Sequence, residues 1–152
     1  MIIDADFEIL RNFAIALFIG ALIGVERERE RERPQMFGGL RTFILIAEAG
    51  AASAWLSALI GSVWLFLAVG AGVCALVTAS YVAAARQQEN LPGITTEVAA
   101  LVVFILGGAC TYNHPEWAVV LAIVTSAVLT FKAELHQFAE KVGEDDMVAM
   151  LK

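Results

Sequence analysis

Five stretches of the chain are apolar and separated by short polar breaks, at about 7–25, 40–59, 63–85, 94–110 and 115–131. A helix needs around 20 residues to cross ~30 Å of hydrocarbon, with about 17 near the lower limit. The first three stretches meet that length easily, and the last two are short. Between Ala49 and Ala85 no residue is charged, and the run is too long for a single crossing. Gly61-Ser62 supplies the break, so the pattern predicts a tight helical hairpin there. After Phe131 the pattern turns amphipathic, with Leu135, Phe138, Ala139 and Val142 set against Lys132, Glu134, Gln137, Glu140 and Lys141. The expected architecture is an all-α integral membrane domain over 1–142, with five transmembrane helices and a short amphipathic cytoplasmic helix at 132–142. Residues 143–152 read as a tail or as the start of a further helix.

Composition supports this class. The 152 residues are 59% hydrophobic and 17% charged, with a mean hydropathy of +0.74. Soluble domains sit nearer 45–50% apolar with about a quarter charged. The N-terminal Met1-Ile-Ile-Asp-Ala-Asp6 lacks a positive region and a small-residue cleavage site, so the first apolar stretch reads as a retained span.

Charge fixes the expected orientation. With the 26–41 loop in the cytoplasm, that side receives Arg27, Arg29, Arg31, Arg33, Arg41, Arg86, Lys132, Lys141 and Lys152, and only Arg11 lies opposite. This is a strong positive-inside bias, giving an outside N-terminus and a cytoplasmic C-terminus. Trp55, Trp64 and Trp117 fall towards the outer ends of their segments, where amphipathic rings favour the interface.

The polar belt between the first two segments is the densest charge in the sequence. Glu26 to Arg33 alternates acid and base, which on a helix pairs opposite charges at i,i+3 but like charges at i,i+4. From Glu28 onward the run reads as a solvated extension, and Pro34 ends any helix near Arg33. Arg11 snorkels outward or pairs with Glu8 one turn earlier. Gly20 and Gly24 make a small-xxx-small face for close helix approach. Ala47, Gly50, Ala51, Ala54 and Ala58 suit tight packing of the second helix.

The expected topology brings Glu26, Arg27, Arg41, Thr42, Thr95, Thr96 and Glu97 to the cytoplasmic ends of helices one, two and four. Thr95-Thr96-Glu97 reads as a helix cap followed by an acid in the first turn. Glu48 lies deeper, roughly 10 Å beyond Arg41 along the axis, and an ionisable group at that depth is a functional candidate. The cluster suits a salt-bridge network, a hard-oxygen Mg²⁺ site built from Glu26, Glu48 and Glu97, or a proton-accepting group. The arginines count against a cation site unless they are spent on one carboxylate.

Other chemistry is not indicated. Cys74 and Cys110 carry no metal spacing, fall at different depths and read as buried free thiols. His114 beside Pro115 is a weak ligand candidate. No nucleophile–base pair, phosphate-binding Gly loop or His/Cys metal motif is present, so an enzyme is not expected. No basic patch with interleaved aromatics points to nucleic acid.

Gly20-Ala-Leu-Ile-Gly24-Val-Glu26-Arg27-Glu28 followed by Gly39-Leu40-Arg41-Thr42 resembles the signature of the MgtC/SapB family of bacterial inner-membrane proteins. Gly93-Ile-Thr-Thr96 is similar to that family's second Gly-Leu-Thr-Thr signature. Glu97-Val-Ala-Ala and the Leu135-His136 end resemble its longer multi-span relatives. The resemblance covers about residues 10–142. It implies a multi-pass protein of the bacterial inner membrane with five helices, linked to growth in low magnesium, survival in host cells and control of membrane energetics. Three features depart from the family pattern: a longer, more regular Arg/Glu run, Glu48 where an apolar or small residue is expected, and the absence of the soluble C-terminal domain of the shorter members.

The expected function is therefore non-enzymatic: magnesium-linked stress adaptation or membrane-energetics regulation, acting through helix–helix contacts. The expected partners are membrane lipid and either further copies of the chain or a membrane-protein partner. The alternative is a Mg²⁺ or proton transporter or channel component using Glu26, Glu48 and Glu97. No cofactor is expected, and Mg²⁺ is the only ligand considered.

Overall fold

The computed structural model describes residues 2–29, 38–86, 94–112 and 114–131, with side chains in the first helix from Phe7 onward. These residues form five helices: α1 (Ile2–Arg29), α2 (Leu40–Ile60), α3 (Trp64–Ala85), α4 (Thr95–Thr111) and α5 (Pro115–Thr130). Hydrocarbon offers no partner for backbone N–H and C=O groups, so apolar runs of this kind satisfy them internally as helices. Phe7–Arg29, Leu40–Ile60 and Trp64–Ala85 are long and apolar enough to cross a membrane. At 17 and 16 residues, α4 and α5 are shorter than the ~20 residues that a crossing ordinarily takes. The amphipathic helix expected at 132–142, the tail at 143–152 and the second half of the Arg/Glu run, 30–33, lie outside the described residues.

Helices α1, α2 and α4 pack mutually and form the centre, with α5 against α1 and α4, and α3 against α2 and α4. Small residues set these contacts. A Cβ on Gly24 would fall 2.9 Å from Leu40 Cα, and one on Gly20 would fall 2.7 Å from the Phe43 carbonyl oxygen. As α1 descends from Gly20 to Gly24, its partners on α2 run from Ala47 back to Leu40, so the two helices are antiparallel. The close approach expected at Gly20 and Gly24 is thus met by the chain's own second helix.

The tightest crossing joins α2 to α4. A Cβ on Gly50 would collide with the Phe104 carbonyl, and one on Gly107 with the Ala47 carbonyl. Further along the same seam, the Thr111 hydroxyl donates to the Ala51 carbonyl at 3.2 Å. Ala47 faces Gly107 and Ala51 faces Thr111, so α2 and α4 run parallel. Around this crossing lie the fully buried Phe43, Ala47, Ala51, Ala100, Val103 and Cys110.

The hairpin expected at Gly61-Ser62 is present and is held from both sides. Gly61 takes the left-handed conformation at φ 68°, which glycine adopts without a Cβ penalty. Its N–H donates to the Ala58 carbonyl at 3.2 Å, and the Ser62 N–H donates to the Ser57 carbonyl at 3.0 Å. This pair is a Schellman ending for α2. The Ser57 hydroxyl oxygen also accepts from the Phe66 N–H at 2.9 Å. Val63, at the start of α3, has no side chain that can cap, so a serine from the previous helix supplies the acceptor. Phe66 then stacks on Phe104 with centroids 5.0 Å apart.

Candidate functional site

Relative helix direction decides which polar residues meet. With α1 antiparallel to α2 and α2 parallel to α4, the C-terminal end of α1 and the N-terminal ends of α2 and α4 share one end of the bundle. Glu26, Arg27, Arg41, Thr42, Thr95, Thr96 and Glu97 therefore all lie towards that end. They do not lie at one depth. Glu97 is ten residues before Gly107, and Thr42 five before Ala47, which puts Glu97 about 7 Å further out along the axis. Arg27, three residues beyond Gly24, is about level with Glu97 by the same reckoning.

Burial sorts the group further. Arg27 is only 6% exposed, and it is the one buried charged residue among the described residues. A guanidinium held out of water needs compensating interactions, and Arg27 is not without a partner. Glu97 is half-buried, and its Oε2 is buried without a hydrogen-bond partner among the described residues. Glu26, Thr42, Thr95 and Thr96 are half-buried, whereas Arg41 is exposed.

Several local expectations are corrected. Glu28 was expected to be merely solvated. Its Oε2 instead accepts from the Leu40 N–H at 3.2 Å, placing a carboxylate on the first turn of α2. That turn has no other side-chain cap, because Gly39 precedes it. An anionic acceptor suits the positive end of a helix. Thr95 and Thr96 do not cap α4: its N-cap is Ile94, with no side-chain hydrogen bond, and the threonines lie inside the first turn. Arg11 reaches Asn12 Oδ1 at 3.4 Å rather than Glu8. Cys74, expected to be buried, is exposed on α3, whereas Cys110 is buried, and both are free thiols.

The proposed three-carboxylate metal site is not assembled. Among the described residues no three His, Cys, Asp or Glu side chains come together to hold an ion. The cause is axial separation: Glu48 lies beside the Ala47 level, about 15 Å along the bundle from Glu97. Glu48 is half-buried, outside the buried face of α2 formed by Phe43, Ala47, Gly50, Ala51 and Ala54.

The Glu28 cap and the Ser57 cap both escaped sequence reasoning. Glu28 reaches a residue 12 positions away across a break, with no local pattern to mark it. Ser57 carries a weak signal, since a small hydroxyl residue precedes Gly61 by one helical turn and α3 opens without a capping residue.

A bundle of apolar helices, closed by glycine-to-backbone contacts and with its buried arginine at one end, is a membrane protein of the helical class. The family model of the MgtC family matches residues 13–138, and the chain belongs to that family. Membership makes it a membrane protein linked to magnesium homeostasis and virulence. Neither a curated protein nor a solved structure matches the chain.

Proposed function

We propose that this protein is a non-enzymatic, multi-pass protein of the bacterial inner membrane that serves magnesium-linked stress adaptation or membrane-energetics regulation through helix–helix contacts. In this reading all five helices cross, with the N-terminus outside and the C-terminus cytoplasmic. The partner is a further copy of the chain or another membrane protein.

The observation that carries the reading is the closed centre. Gly50 and Gly107 bring the backbones of α2 and α4 into direct contact. The ionisable groups lie along different depths rather than lining one passage. Family membership supports the link to magnesium. The transporter reading draws on the half-buried Glu48 and on the buried Oε2 of Glu97.

Flux into liposomes separates the two. The contact reading expects Mg²⁺ and proton flux at the level of empty vesicles, and a crosslinked homo-oligomer or partner in native membranes. A flux that Glu48→Gln abolishes would overturn it in favour of transport. Capture of neither a second copy nor a partner would defeat the contact mechanism itself.

A further inference from the structure

At the hairpin end of the bundle, opposite the charged cluster, a groove of about 750 Å³ opens among the C-terminal turns of α2 and α4 and the first turn of α3. Ala54, Ser57 and Ala58 of α2 form one side; Phe66 of α3 and Ile105, Gly108 and Ala109 of α4 form the others. Its volume falls within the roughly 300–1,000 Å³ of ligand pockets. The space has a local cause. The Phe66 ring sits so close to Gly108 that a Cβ there would fall 2.7 Å from Cε2. This ring fills the notch at Gly108 and ties α3 to α4 there, and the alanines beyond it are too small to fill the remaining space.

We propose that this groove is a binding site for one acyl chain of a membrane phospholipid, entering sideways past the exposed Ile105. The α2–α3 side is closed by the hairpin, and the α3–α4 side by the Phe66 ring against Gly108 and Phe104. The groove is continuous with apolar surface that faces the bilayer in a membrane protein, since Val63, Leu67 and Ile105 around it are exposed. The lining is mostly hydrocarbon, and the Ser57 hydroxyl oxygen is already engaged by the Phe66 N–H. The remaining hydroxyls, Ser62 and Tyr112, lie at the bundle end. Tyr112 and Trp64, two residues past Ser62, are 69% and 75% exposed and are residues of the interfacial type. A lipid matches this polarity order, with its chain among the alanines and its ester region beside Ser62 and Tyr112.

The test uses the full chain purified in mild detergent. Native mass spectrometry should find one phospholipid retained per chain, and in the groove-filling variants Ala58→Phe and Ala109→Leu retention should fall about tenfold, equivalent to ~1.4 kcal/mol. A second measurement does not depend on those variants folding. A photoreactive benzoyl-phenylalanine at exposed Ile105 should crosslink phospholipid after detergent washing, while the same probe at exposed Leu76 on α3 should not. Folded protein that carries no phospholipid would overturn the proposal, as would equal retention in folded filled variants. A crosslink from position 105 to a second copy or another protein, rather than to lipid, would also overturn it.

Discussion

Gly50 of α2 and Gly107 of α4 each face the other helix's main chain: Gly50 meets the Phe104 carbonyl, and Gly107 meets the Ala47 carbonyl. The two glycines are reciprocal, so each helix supplies both a gap and the backbone that fills the partner's gap. Close backbone approach of this kind is a principal source of helix association where lipid removes the hydrophobic drive.

Adding even one methyl at either position forces backbone apart rather than displacing a flexible side chain. Gly107→Ala and Gly50→Ala should each lower stability by at least about 1–3 kcal/mol, the usual cost of overpacking. Gly72→Ala is the matched control. It has no neighbouring atom within 4 Å, and replacing a mid-helix glycine there should stabilise by about 0.5–1 kcal/mol. Thermal unfolding in detergent, followed by helical circular dichroism, checks all three.

Ser57→Ala removes the acceptor for the Phe66 N–H while leaving the Ser62 to Ser57 backbone bond intact. The expected loss is about 1 kcal/mol, as for a lost helix cap. Hydrogen exchange should quicken at Phe66 and remain unchanged at Ser62. Equal quickening at both amides would mean that the whole hairpin depends on the hydroxyl.

Glu28 differs from Ser57 because its carboxylate is exposed, so its effect is local. Glu28→Gln keeps an acceptor for the Leu40 N–H, whereas Glu28→Ala removes it. Amide exchange at Leu40 should therefore quicken in the alanine variant and change little in the glutamine variant. Identical behaviour of the two variants would show that the cap does not order the start of α2.

The two thiols should behave oppositely. Cys110 is fully buried and donates to the Leu106 carbonyl at 3.2 Å, while Cys74 is exposed. A membrane-permeant thiol reagent should modify Cys74 in the folded, detergent-solubilised protein and reach Cys110 only on unfolding. Cys74→Ala should alter stability by less than about 0.5 kcal/mol, whereas Cys110→Ala should cost about 1 kcal/mol through the void it leaves.

Much of the fold was readable because it depends on short-range properties. Length and hydropathy located all five helices, and their observed limits lie within a residue or two of the expected ones, except that α1 begins earlier, at Ile2, and runs on through Arg29. Gly61-Ser62 marked the hairpin because a left-handed residue was needed there. The family motifs marked the residues that share the charged end. Partner choice was less legible. The motif Gly20-x-x-x-Gly24 announced a close contact without saying that α2 would provide it, and Gly107 gave no sign that it would face Ala47. Relative axial level was also hidden: nothing local to Glu48 or Glu97 reveals that their helices meet ten residues beyond Glu97. For that reason three carboxylates that looked like one site do not form one.

The attachment of α3 has a consequence for how the sequence is free to change. Of its 22 residues only Val77 is buried, with Phe66, Val69 and Val73 partly buried against the core. Substitutions along most of α3 need only preserve an apolar, helix-forming surface. Gly50 and Gly107 on the α2–α4 seam are instead each held to their identity by a main chain lying against them. Drift should therefore be fast along one span of this protein and nearly arrested along the span that precedes it.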